Sequence, residues 1–269
     1  MPDSQGIRNM ALFCDFENIA LGVRDARYAK FDISRVLERL LLKGNIVVKK
    51  AYCDWDRYKD FKTDMHDASF EMIEIPHVRQ SGKNSADIRM VVDALDLCYT
   101  KSHVDTFVII SGDSDFSPLV SKLRENNRVV IGVGVKNSTS DLLIANCDEF
   151  IFYDDLVRAE ERKAKTTRKR STRKPATQDQ KKIGNDADLE AEAIELLQET
   201  VAALFEERGG DDKIWGSMVK QAIKRRKPSF SESYYGYRSF SALLEEAARR
   251  EILTLERDEK SGGYIILGY

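Results

Sequence analysis

An α/β domain built on a mostly parallel, Rossmann-like sheet, followed by a small winged helix-turn-helix domain, is the architecture predicted for this 269-residue chain. Three observations carry that expectation. Residues 10–155 alternate short apolar runs with stretches of helical period, the order that builds a parallel sheet with helices on both faces. The run Thr106-Phe107-Val108-Ile109-Ile110 stops at Ser111-Gly112, as a fully buried strand does at a turn. After residue 188, three amphipathic stretches lead into two short apolar runs separated by a Gly262-Gly263 turn, the order of a winged helix.

In the first domain, taken as residues 8–157, strands are expected at 11–14, 46–52, 70–75, 107–111, 128–133 and 149–153. Helices are expected between them. Residues 33–42 carry a broad apolar face, whereas 57–67 are polar. In 86–99, Ile88, Val91, Val92 and Leu95 fall at i, i+3, i+4 and i+7, an amphipathic stripe of the kind that faces a core. Helices at 117–125 and 138–147 complete the set, and right-handed crossovers leave few topologies.

Residues 158–187 read as a basic linker. The segment 158–182 holds 11 basic and 3 acidic side chains, whereas residues 1–157 and 183–269 are each net −5. With almost no apolar content it cannot offset its ordering entropy. It is expected to be a flexible spacer, or a tether that holds nucleic-acid phosphates. In the second domain, residues 188–269, the first helix places Ile194, Leu197, Val201, Leu204 and Phe205 together, and Gly209-Gly210 ends it. A second is expected at 214–226, a third at 239–250, then a hairpin from 252–255 and 264–267.

Composition narrows the function classes. No apolar run approaches the ~18–20 residues of a membrane span. The first residues, Met1 to Gly6, lack a signal-peptide pattern, so a cytoplasmic protein is expected. The four cysteines stand far apart without a CxxC pair, and the three histidines make neither ligand spacing nor a triad. A zinc site, a disulfide framework and serine or cysteine hydrolysis are therefore not indicated, and the thiols are expected to be buried.

The carboxylates are more telling. Asp15-Phe16-Glu17-Asn18 follows the first strand, Asp113-Ser114-Asp115 follows the fourth, and Asp87 opens a helix. Ligands of open parallel sheets sit beyond the carboxyl ends of the strands. Each residue alone is equally well a helix cap. Together they are harder to explain, because crowded carboxylates repel unless a cation neutralises them. Oxygen ligands without histidine suit Mg²⁺ or Mn²⁺, and such ions activate water and stabilise charge on a phosphate. Asp93, about 120° around the helix from Asp87, is a secondary acidic candidate. A phosphatase reading is weaker, since the first motif lacks a second aspartate.

With these motifs in place, residues 10–155 resemble an NYN domain, a branch of the PIN-like nucleases. The resemblance rests on Phe13-Cys14-Asp15-Phe16-Glu17-Asn18, on Ser85-Ala86-Asp87-Ile88-Arg89-Met90-Val91-Val92-Asp93, and on Ser111-Gly112-Asp113-Ser114-Asp115-Phe116. It implies a metal-dependent ribonuclease, a hydrolase in which Asp15, Asp87, Asp113 and Asp115 bind the metal and Asn18 supports the site or touches substrate. Ala86 stands where the family usually has glycine. The second domain resembles an OST-HTH, or LOTUS, domain through Trp215-Gly216-Ser217-Met218-Val219-Lys220, Pro228-Ser229-Phe230 and Tyr234-Tyr235-Gly236-Tyr237-Arg238-Ser239-Phe240. That resemblance implies RNA binding or docking of a protein partner.

Candidate RNA contacts follow. Lys83 lies in the loop before Asp87, and Lys136 and Ser138 lie where a strand gives way to a helix. In the second domain Lys220, Lys224, Arg225, Arg226 and Lys227 form a basic patch, with Tyr235 and Tyr237 as stacking surfaces or as core. The expectation is a ribonuclease with a C-terminal RNA-binding domain. The alternative is a catalytically weak or inactive RNA-binding adaptor that recruits partners.

Overall fold

The computed structural model describes residues 8–75, 85–160, 183–208, 213–259 and 261–269. The chain divides into two compact units, Met1–Arg158 and Ala159–Tyr269.

In the first unit, β1 (Arg8–Asp15), β2 (Gly44–Cys53), β3 (Glu71–Glu74), β4 (Thr106–Ile110), β5 (Val129–Gly134) and β6 (Glu149–Phe152) form one sheet in the order β3-β2-β1-β4-β5-β6. Every neighbouring pair is parallel. β1 lies at the centre, with β2 on one side and β4 on the other. The chain therefore reverses its direction of travel across the sheet between β1 and β4, where a crevice opens at the strands' carboxyl ends.

Alternate residues of β1 feed two cores. Met10, Leu12 and Cys14 join Val108, Ile110, Ile131 and Val133 beneath α1 (Phe16–Asp25), α2 (Ile33–Leu41) and α3 (Lys62–Asp67). Ala11 and Phe13 join Phe107, Ile109 and Val130 beneath α4 (Ser85–Thr100), α5 (Ser117–Glu125) and α6 (Asp141–Asn146). Burial on both faces is why β1 and β4 read as unbroken apolar runs rather than as alternation. All four cysteines are buried thiols.

Three features differ from the expectation. Residues 16–25 form α1, a helix that had not been named between the strand at 11–14 and the helix at 33–42. A helix over residues 153–160 (α7) follows β6 directly and reaches into the stretch read as linker. On α4 the face toward the sheet is Met90, Ala94 and Cys98, while Ile88 and Val92 are 62% and 55% exposed. Both sides of α4 are apolar, so hydrophobic period alone could not choose between them. The small Ala94 and the compact Cys98 let the helix axis approach the sheet.

In the second unit, α8 (Ile183–Arg208), α9 (Gly216–Arg226) and α10 (Phe240–Arg249) pack around Leu197, Val201, Val219, Ile223, Leu243 and Leu244. The hairpin β8 (Thr254–Arg257) and β9 (Tyr264–Gly268) gains a third strand, β7 (Ile214–Trp215), which pairs with β9. Two residues are too few to show a period, so they had read as the start of α9. α8 begins at Ile183, ahead of the expected boundary at 188, because its first turn lacks the apolar repeat. The rest of the basic segment, residues 161–182, lies outside the described residues.

Candidate active site

β1 delivers Asp15 to the crevice and β4 delivers Ser111. Asp15 is 8% exposed. One of its oxygens accepts from the Asn18 backbone N–H at 3.3 Å, capping α1, and the other accepts from Ser111 Oγ at 3.0 Å. Ser111 Oγ in turn accepts from the Asp113 N–H at 3.2 Å. Asp113 caps the short turn Ser114–Phe116 by accepting from the Asp115 N–H at 3.0 Å. Asn18 Oδ1 accepts from the Gly112 N–H at 2.8 Å. One hydroxyl and one amide thus lock the end of β1 to the turn after β4. Asp15 and Asp113 are indeed caps, but a cap engages one oxygen of each.

Burial and neighbouring negative charge act together on these carboxylates. Burial pushes the Asp15 carboxyl up to about 7, aided by the charges of Asp87 and Asp113 and opposed by its two hydrogen bonds. Burial, with Asp113, Asp115 and Glu17, pushes Asp87 up to about 6. Among the described residues, the charged groups bearing on Asp87 are all acidic. Glu17 itself is held by Arg57 at 3.1 Å. The structure therefore brings Asp15, Asp87, Asp113 and Asp115 into one field, with Asn18 as a brace. Among the described residues no three His, Cys, Asp or Glu side chains stand close enough to enclose an ion as they are. The donor set fits a hard divalent cation by its chemistry: carboxylate oxygens, mutually repelling and without an ion pair of their own among the described residues.

Asp93 stands apart from this field. Its carboxylate is tied to Lys50 at 3.4 Å, Arg89 at 3.1 Å and the Tyr52 hydroxyl at 2.9 Å. Its charge is met by protein cations. Sequence reasoning had passed over Ser111 and Glu17. The signal for Ser111 was its place as the last residue of a buried run immediately before Gly-Asp.

The loop after β5 packs against the site. Ser140 N–H donates to the Gly112 carbonyl at 2.9 Å. A Cβ on Gly112 would lie 2.3 Å from the Ser138 carbonyl oxygen and 3.0 Å from Thr139 Cα. Backbone cannot swing aside, so Gly112→Ala is expected to cost about 1–3 kcal/mol, read as a lower midpoint in chemical denaturation. Lys136 and Ser138 form a short 3-10 turn, and Ser140 caps α6. Ser138 therefore does not open the helix as expected, and the Lys136 N–H donates to Asp154 at 2.8 Å. Lys83 lies outside the described residues. Beside Asp115 a groove of about 490 Å³ is lined by Ser114, Ser117, Pro118, Ser121 and Leu142.

The basic patch of the second unit is largely neutralised. Lys227 bonds Glu192 at 2.5 Å and the Tyr235 hydroxyl at 2.8 Å. Arg226 reaches Thr200 at 3.1 Å and Glu199 at 3.6 Å. Lys220 pairs with Glu232 at 2.7 Å and sits over the Phe240 ring. Lys224 is partly buried and Arg225 is exposed. Tyr235 is 3% exposed and stacks on Phe230 with centroids 5.3 Å apart. It offers no face to a base, so the stacking expectation gives way to a core role for this residue. Tyr237 is partly buried, and its hydroxyl is sequestered without a hydrogen-bond partner among the described residues.

Comparison with known proteins adds to this geometry. A family model of the NYN domain matches residues 9–155, and one of the OST-HTH/LOTUS domain matches residues 187–265. Over 148 residues the chain is 26% identical to the Meiosis regulator and mRNA stability factor 1 of Xenopus tropicalis, covering 55% of this chain and 9% of that protein. Its counterpart from Bos taurus is 24% identical over 148 residues, 55% of this chain and 8% of the relative. The chain thus spans under a tenth of the length of these curated relatives. The crystal structure of a protein of unknown function from Vibrio parahaemolyticus RIMD 2210633 superposes with a TM-score of 0.50 at 27% identity, over 57% of this chain and 97% of that one.

Proposed function

The chain belongs to the NYN family and carries an OST-HTH/LOTUS domain, and from that premise we propose that it is a divalent-metal-dependent ribonuclease that hydrolyses RNA phosphodiester bonds. The observation that supports this most is the common field of Asp15, Asp87, Asp113 and Asp115 at the crevice between β1 and β4. Those four residues would hold Mg²⁺ or Mn²⁺. When bound, the cation supplies an activated water and charge stabilisation at the phosphate.

The chain's own residues do the positioning. Ser111 fixes the second Asp15 oxygen and the Asp113 backbone together. Asn18 fixes the Gly112 peptide, so the turn bearing Asp113 and Asp115 keeps its place against α1. The groove beside Asp115 gives a nucleotide access to that edge. The names of the curated relatives speak of mRNA stability, which fits RNA as the polymer. The test is labelled single-stranded RNA incubated with Mn²⁺, with Mg²⁺ and with chelator. Cleavage with either ion and none with chelator is the expected result.

The basic segment extends the reading. Residues 1–157 are net −5 and bind a polyanion poorly alone, whereas 158–182 bring 11 basic side chains. Residues 1–182 should bind RNA more tightly than 1–160 at low salt. With about five phosphates engaged, the log–log salt slope steepens by roughly 3.5. Equal affinities at low salt would rule the tether out. The second reading is an RNA-binding adaptor with little or no turnover. It is favoured by the open spacing of the carboxylates and predicts RNA binding without cleavage in either metal. In both readings the OST-HTH/LOTUS domain is an RNA contact or a dock for a protein partner.

A further inference from the structure

α4 faces the sheet with Met90, Ala94 and Cys98, and yet it carries a second apolar row. Ile88 is 62% exposed, Val92 55% and Tyr99 65%, with Leu95 partly exposed between them. Their spacing of four, three and four residues is that of a heptad seam, the pattern with which one helix receives another. Single exposed apolar residues need no explanation, but a continuous row along one helix marks an interaction surface.

The charges beside the row choose its partner. Arg89 and Asp96 stand seven residues apart on the same flank, and both are exposed. We propose that the chain associates with a second copy of itself through α4, the two helices running antiparallel about a two-fold axis centred between Val92 and Leu95. In that register Ile88 of one copy meets Tyr99 of the other, and Val92 meets Leu95. Each Arg89 then lies beside the partner's Asp96, twice over, as an isologous interface requires. A parallel pairing would put this flank of the two copies on opposite sides of the seam, so that Arg89 and the partner's Asp96 could not meet. Arg89 already bonds Asp93 in its own chain at 3.1 Å, and across the seam it serves both carboxylates.

Four side chains from each copy fall short of the roughly 1,200–2,000 Å² buried in stable interfaces. The association is accordingly weak and concentration-dependent. It does not depend on the nuclease reading, since it invokes neither metal nor RNA.

The test is sedimentation of the full chain from about 1 to about 200 µM, a range suited to a small interface. Wild-type mass should rise from 30.7 kDa toward twice that value. Ile88→Glu alone and Tyr99→Lys alone should stay monomeric. An equimolar mixture of the two should dimerise, because positions 88 and 99 oppose each other only in the antiparallel register. Both residues are exposed, so circular dichroism should be unchanged, and the exposed Val92→Glu gives an independent break in the same seam. A wild type that is monomeric throughout, single variants that still dimerise, or a mixture that stays monomeric would each overturn the proposal.

Discussion

RNA cleavage by Asp113→Asn falls roughly 10²-fold or more, the equivalent of about 3 kcal/mol, while RNA affinity holds. The substitution keeps the shape of the side chain and an oxygen that can accept the Asp115 N–H, so the turn Ser114–Phe116 keeps its cap. It removes one negative charge from the field that also contains Asp15, Asp87 and Asp115. Asp15→Asn should act in the same way through the other side of the crevice. The measurement is single-turnover cleavage of labelled RNA with Mn²⁺ or Mg²⁺, beside anisotropy of the uncut RNA in chelator. Undiminished cleavage by either variant would remove the carboxylates from the mechanism. Weaker binding together with lost cleavage would point to a damaged fold instead.

Asp15→Asn should also stabilise the metal-free protein at neutral pH. In the folded chain the Asp15 carboxyl sits at about 7 against an ordinary 3.8. The folded state therefore holds this proton more tightly than the unfolded state does. Between about pH 4 and pH 7 the wild type releases that advantage, so its stability declines as pH rises through the window. At about 1.36 kcal/mol per pH unit, the difference at pH 8 is of order 2–4 kcal/mol. Asn has no proton to lose, and Ser111 can turn its hydroxyl to suit the amide.

The measurement is thermal unfolding in chelator at pH 4.5 and pH 8, read from the fluorescence of the buried Trp55 in a Trp215→Phe background. Asp15→Asn should exceed the wild type at the higher pH and match it at the lower. Adding Mg²⁺ or Mn²⁺ should raise the wild type more than the variant, since binding to the folded state stabilises it. Parallel pH profiles for the two proteins would show that Asp15 does not carry this charge burden.

The sheet was legible because buried parallel strands are dense in β-branched and aromatic residues, and Val108-Ile109-Ile110 offers no other reading. The acidic set was legible because each member sits at a junction between two kinds of periodicity. α1 was not, since Gly22 interrupts it with poor helix propensity. The glycine answers a tertiary demand: its Cβ would lie 2.4 Å from Ser138 Oγ. The inward face of α4 was illegible for the opposite reason, an excess of apolar residues rather than a lack. In the second unit, sequence placed the basic residues of α9 correctly along the chain. Their partners Glu192 and Glu199 come from α8 and Glu232 from the stretch between α9 and α10. Only folding reveals that such charges are already matched. Tyr235 shows the same limit, because its neighbours Phe230 and Glu192 decide whether a ring is a surface or a core.

The central position of β1 has a consequence in time. Ser111, which closes the pocket around Asp15, lies 96 residues further along the chain. At a synthesis rate of about 5–20 residues per second, it leaves the ribosome roughly 5–20 s later. During that interval β1, β2 and β3 can already pair with one another, but Asp15 has neither Ser111 nor Asp113 beside it. A nascent chain growing among ribosomal RNA, and beside its own message, therefore holds only half of the crevice. Fold topology alone would keep a ribonuclease of this design inert until the strand that completes it has been made.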